Sequence, residues 1–123
     1  MIIELFSYGD FGILALRIGI GLLFIAHGTK KLDGKMGPFM TFIGISETLG
    51  GLALLAGFLT QFAALGIAII MVGAIYKKIV EWHVPYSSSE KIGWEFDLLI
   101  IGACIGLMTL GSGLFGVDAM WLY

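Results

Sequence analysis

GISETLGGLALLAGFLTQFAALGIAIIMVGAIY, residues Gly44 to Tyr76, is two apolar blocks with one short break at Gly57 to Gln61. Crossing the hydrocarbon core of a bilayer takes ~20 apolar residues, and the blocks Phe39 to Leu59 and Phe62 to Tyr76 approach that length. Inside lipid each segment must satisfy its own backbone hydrogen bonds, so the blocks are predicted to be helices. So short a connection makes them antiparallel neighbours. Outward from this pair, Phe11 to Ala26 and Phe96 to Leu110 are two further apolar blocks. The reading is all-α: a four-transmembrane-helix antiparallel bundle in a single domain, residues 1–123, with spans at about 11–32, 39–59, 61–82 and 94–111. The third span reaches Trp82 because Lys77, Lys78 and Glu81 can snorkel.

Composition agrees. The chain has 123 residues, 59% hydrophobic and 13% charged, with a mean hydropathy of +1.00. One small soluble core could not hide so much apolar surface. A net charge of −2 offers no basic face, which removes nucleic acid as a partner. Glu4 and Asp10 stand where a signal peptide would be positive, and no small-x-small site follows, so the first span is expected to be retained. Cys104 is the single cysteine, hence no intrachain disulfide, and it reads as a small packing residue.

Lysines give an orientation. Lys30, Lys31 and Lys35 lie between spans one and two, and Lys77, Lys78 and Lys91 between spans three and four, while the other side has none. An inner-membrane protein with cytoplasmic lysine loops and both termini outside is predicted. Tyr76, Trp82, Tyr86 and Trp94 read as interfacial anchors.

Helical spacing, ~100° per residue, sorts the small and charged residues. Gly102 and Gly106 form a GxxxG in the fourth span; Gly44, Glu47 and Gly51 share a face of the second; Gly66 and Gly73 lie two turns apart on the third. Such residues let helix backbones approach, and each set is expected on a packed face. Glu95 then projects with Leu99, Gly102 and Gly106 into the bundle, whereas Asp97 points outward with Ile101, Cys104 and Met108.

An ionisable group within a span costs several kcal/mol unless paired or wet. Counted from the lysine loops, His27, Glu47, His83 and Glu95 fall at one depth near the cytoplasmic surface. They fit a hydrogen-bonded cluster pinning the helices, a site for a small polar headgroup such as a quinone carbonyl, a metal set, or a haem held by His27 and His83. Spacing alone leaves these open. Arg17 lies ten residues before His27, about 15 Å along a helix, and either pairs with Asp118, its natural partner at the outer level, in an ion pair closing the first helix on the last, or binds an anionic ligand or lipid from outside. HGTKK before GISE and WHVP before GWE form a faint internal echo, which would make the two hairpins parallel repeats.

LRIGIGLLFIAHGTKKL, then the Gly44 to Tyr76 stretch, then GWEFDLLIIGACIGLMTLGSG with a following Asp, resemble in order the DoxX family of small four-span membrane proteins. The resemblance rests on Arg17, His27, Gly28, Lys30, Glu47, Gly50, Gly51, Gly57, Thr60, Ala63, Ala64, Glu95 and Asp118 together. It departs at GSGLFGVD, which lacks the proline, arginine and serine of the family's usual tail. The resemblance implies a subunit linked to thiosulfate, sulfur or thiol oxidation with electrons passed to quinone. His27, Glu47 and Glu95 are then the expected catalytic groups, holding or protonating a quinone headgroup, with His83 and Lys30 completing its binding site. A non-catalytic accessory subunit of a larger membrane respiratory complex is the alternative. In either case the expected partners are the bilayer and other membrane subunits or further copies of the chain.

Overall fold

The computed structural model describes residues 7–35, 37–87 and 93–121; Glu4 and Lys91 of the charge reading lie outside them. Four α-helices follow in order: α1 Gly9–Thr29, α2 Pro38–Ala56, α3 Thr60–Tyr76 and α4 Trp94–Leu110. A π-helical turn, Lys77–Glu81, prolongs α3, and a short 3-10 turn, Val117–Met120, follows α4. No strand occurs among the described residues. Pro38 opens α2 at its first position, where a missing N–H costs nothing. The same helix stops at Gly57, whose φ of 70° lets Phe58 N–H return to Ala53 O and Gly57 N–H to Leu54 O. That is a Schellman turn. It reverses the chain within three residues into α3.

Three helices are long and apolar enough to cross a membrane: α1, α2, and α3 with its π turn, Thr60–Glu81. The fourth, α4, has 17 residues, about 25 Å of rise, and is shorter than the predicted fourth span. The outward surface is as oily as the core: Leu22, Phe42, Phe62, Ile69 and Leu99 are all more than half exposed. The helices pack as two antiparallel hairpins, α1 with α2 and α3 with α4; α2 touches α3 less, and α1 touches α4 least. Phe24, Leu54, Ile67, Cys104 and Leu107 fill the space between them.

Glycine holds the first hairpin together. A methyl group on Gly51 would stand 2.6 Å from Gly21 O, and one on Gly28 would stand 2.6 Å from Gly44 O. The two crossings are seven residues apart on each helix, so one face of α1 meets one face of α2 backbone to backbone. The second hairpin has no such contacts: Gly66, Gly73, Gly102 and Gly106 have open space where a side chain would be. This corrects the expected packed faces of α3 and α4. The buried face of α4 is Asp97, Ile100, Cys104 and Leu107, nearly opposite the GxxxG. With Leu, Ile and Met on every side, hydrophobicity did not distinguish lipid from protein on this helix.

Candidate functional site

At the end where the lysine loops lie, each hairpin carries one buried acid neutralised by a lysine. Glu47, one turn after Gly44 on α2, is almost fully buried, and Lys31 Nζ reaches its Oε1 at 2.5 Å. Gly44 makes this approach geometrically feasible, since a Cβ there would lie 2.7 Å from Lys31 Cβ. The lysine stem lies where a side chain would stand. In the second hairpin Lys78 Nζ lies 2.7 Å from Asp97 Oδ2, with both side chains largely buried. Asp97 therefore points inward, and Glu95 is exposed, the reverse of the wheel-based expectation. A like-oriented error follows for any site built on Glu95: its backbone N–H bonds to Tyr86 O, but its carboxylate does not join Glu47.

His27 is half-buried on α1, one turn before Lys31. Its ring meets Phe24 edge-on at 6.4 Å and Phe96 of α4 at 6.2 Å. Neither imidazole nitrogen has a hydrogen-bond partner among the described residues. Phe96 also receives Lys78 Nζ at 5.9 Å from its ring centre, and Lys77 Nζ lies 5.6 Å from the ring of Phe39 on α2. Cations set over aromatic faces gain ~1 kcal/mol and hold their positive charge at this level. The π turn underlies the arrangement, for it carries Lys77 toward α2 and Lys78 toward α4.

Two other predicted members lie elsewhere. Lys30 is exposed in the turn after α1; its neighbour Lys31, overlooked because sequence adjacency hides which lysine faces α2, makes the contact. His83 is exposed in a left-handed conformation, φ 51°, after the π turn. The structure thus links His27, Phe96, Lys78 and Asp97 by successive contacts, pairs Lys31, one turn beyond His27, with Glu47, and leaves out Lys30, His83 and Glu95. Among the described residues no three His, Cys, Asp or Glu side chains are grouped as metal ligands.

The opposite end carries a second assembly built on two buried charged side chains, Arg17 and Asp118. Arg17 is buried in α1, and its Nη1 donates to Leu54 O at 3.1 Å and Leu55 O at 3.2 Å, the last carbonyls of α2. Asp118 accepts the N–H of Leu59 at 2.7 Å and of Thr60 at 2.9 Å, the first amides of α3, and its own N–H donates to Gly57 O. A cation at a helix C-terminus and an anion at a helix N-terminus each complement the macrodipole. The direct Arg17–Asp118 ion pair is not formed. Both residues grip the α2–α3 turn instead, with Gly57 packed against Arg17 on one side and Gly116 on the other. Asp118 also explains how Leu59 holds φ 49°: the carboxylate binds the two amides that flank that strained residue.

The sequence is similar to those of known proteins. The DoxX family model matches residues 12–80. Over 121 residues the chain is 27% identical to the Bacillus subtilis protein named "Putative oxidoreductase CatD", covering 89% of this chain and 86% of that protein. Over 124 residues it is 29% identical to "Inner membrane protein YqjF" of Escherichia coli, covering 90% of this chain and 92% of that protein. No solved structure matches.

Proposed function

Because this chain belongs to the DoxX family of membrane proteins, we propose that it is a four-span inner-membrane protein that binds a quinone-type headgroup at His27 and takes part in quinone-linked redox chemistry beside other subunits. The observation that carries this reading is the free imidazole of His27. Among the described residues at that end the buried acids Glu47 and Asp97 are each tied to a lysine and Lys77 lies over the ring of Phe39, whereas His27 sits half-buried between aromatic rings with no hydrogen-bond partner at either nitrogen. A flat, weakly polar ring carrying a carbonyl suits that setting, since half-buried Phe96 offers an aromatic surface and the imidazole offers an N–H.

A bound quinone would supply an acceptor for two electrons, which come from a thiol, a reduced sulfur donor or a neighbouring subunit. The contribution of this chain is to donate a hydrogen bond and a proton from His27 to the carbonyl oxygen. Glu47 with Lys31, and Asp97 with Lys78, act as positioning pairs that keep the adjoining helix ends fixed and the local charge balanced. The lysine-bearing end faces the cytoplasm, where protons are taken up. The word "oxidoreductase" in the name of the Bacillus subtilis relative supports redox chemistry, and the E. coli name supports the inner membrane.

The test is quinone binding and donor-dependent quinone reduction in native membranes. His27→Ala is expected to weaken binding by about tenfold or more, the range of one hydrogen bond lost from a buried site. Glu95→Gln is expected to change nothing. Wild-type affinity and turnover in His27→Ala would remove the histidine from the site. The open Gly102 to Gly106 face of α4 favours a second reading, an accessory subunit docked on a larger respiratory assembly. Gentle extraction that yields the chain alone, with full quinone binding, would argue against it.

A further inference from the structure

The gap between α1 and α4 is closed at both ends and open in the middle. At the lysine end His27 meets Phe96 across it. At the other end Leu114 N–H donates to Asp10 Oδ1 at 3.1 Å, Phe11 meets Phe115 at 4.8 Å, and Gly113 packs against Ile13. Between these rungs lies a groove of about 430 Å³ lined by Gly12, Ala15, Leu16, Gly19, Leu23 and, across from α1, Ile100. Its lining presents almost no polar surface, and Gly12 and Gly19 have no atom within 4 Å of where a side chain would begin. Leu23 is one helical turn from His27, and Ile100 one turn from Phe96, so the two walls of the groove continue in line toward the imidazole that closes its end.

We infer that this groove is a tail channel: it takes the hydrocarbon tail of the ligand whose head lies at His27, admitted sideways from the bilayer. The inference rests on the His27 headgroup reading and adds that recognition extends some three turns along α1. The continuity of groove and imidazole favours this occupant over a helix of another subunit, which the rungs at His27–Phe96 and Phe11–Phe115 would obstruct. Moving a tail from lipid into a protein groove gains little hydrophobic free energy, because both surroundings are apolar. The groove must therefore act by shape, holding the tail in one course and the head in one orientation.

Shape recognition is testable by filling the groove. Gly19→Leu adds a side chain where the fold has space, and Gly12→Leu does the same two turns away should the first variant fold poorly. Gly66→Leu, at an equally open position on α3, serves as the control. Binding of dimethoxy-methyl-benzoquinone without a tail, and of the same ring with a decyl tail, is followed in nanodiscs by quenching of tryptophan fluorescence. Gly19→Leu is expected to raise the Kd of the tailed ligand about tenfold while the tail-less ring binds within twofold of wild type; His27→Ala weakens both, and Gly66→Leu neither. If Gly19→Leu and Gly12→Leu bind the tailed ligand as wild type does, the tail channel is overturned and the His27 reading stands. If wild type binds neither ligand, the headgroup reading falls and the channel falls with it.

Discussion

Asp118→Ala is expected to destabilise the protein in detergent by about 3–5 kcal/mol, measured as a loss of thermal or denaturant stability, because it strips several supports at once. The N–H groups of Leu59 and Thr60 lose their acceptor, at about 1–3 kcal/mol for the buried Thr60 amide and less for the partly exposed Leu59. Arg17, fully buried, loses a carboxylate that acts on it through space. Leu59 loses the contacts that hold its left-handed backbone, a conformation that costs about 1–2 kcal/mol for a side chain of this kind. Asp118→Asn retains an acceptor oxygen for one amide but no charge, so an intermediate loss is expected. Arg17→Met removes the buried cation together with its need for a partner and is expected to cost less than Asp118→Ala; combined with Asp118→Ala it should recover part of the loss. That recovery, of 1 kcal/mol or more in a double-mutant cycle, separates electrostatic coupling from amide capping. Additive effects would mean that the two residues grip the turn independently, and an unchanged melting temperature in Asp118→Ala would show that the carboxylate does not hold α3 at all.

The same assembly shows how far the sequence could be read. Depth along the helices puts Arg17 and Asp118 at one level, and both lie at the α2–α3 turn, the end opposite the lysines. What depth could not convey is that a helix terminus competes for a buried charge. Free amides and carbonyls at the α2–α3 turn took both side chains, and neither needed the other as a direct partner. Helices α1 to α3 were legible because length and hydropathy state a requirement of the bilayer itself. Facing was not. On α2 the buried Glu47 marked its own face, since an ionisable group seldom turns to lipid, and Gly44 and Gly51 came with it. On α4 two carboxylates, Glu95 and Asp97, gave opposite answers. The choice went to the glycines, although Glu95 is close enough to the helix start to reach the headgroups while Asp97, half a turn deeper, is the one that requires a lysine. Lys78 was visible as a charge but not as a partner, because its direction depends on a π turn that no spacing rule anticipates.

Glycine substitution turns that difference of faces into a measurement. Gly51→Ala is expected to cost about 1–3 kcal/mol, because the new methyl group meets backbone, Gly21 O at 2.6 Å and Ile25 N at 3.0 Å, and backbone cannot swing aside as a side chain end can. Gly51→Val is expected to open the α1–α2 hairpin, with loss of monodisperse protein after extraction. Gly28→Ala should behave like Gly51→Ala, since it meets Gly44 O and Thr48 N in the same way. Gly102→Val and Gly106→Val, by contrast, enter open space and should leave stability within about 0.5 kcal/mol of wild type, as surface changes do. The contrast carries beyond stability, because Gly44 and Gly28 set the separation at which Lys31 reaches Glu47. Prising α1 from α2 at Gly51 should therefore also release Glu47 from its lysine and shift His27 relative to Phe96, so that quinone affinity falls in Gly51→Ala while Gly102→Val binds normally. Equal tolerance at Gly51 and Gly102 would mean that α1 and α2 do not meet through glycine, and the placement of His27 would lose its foundation.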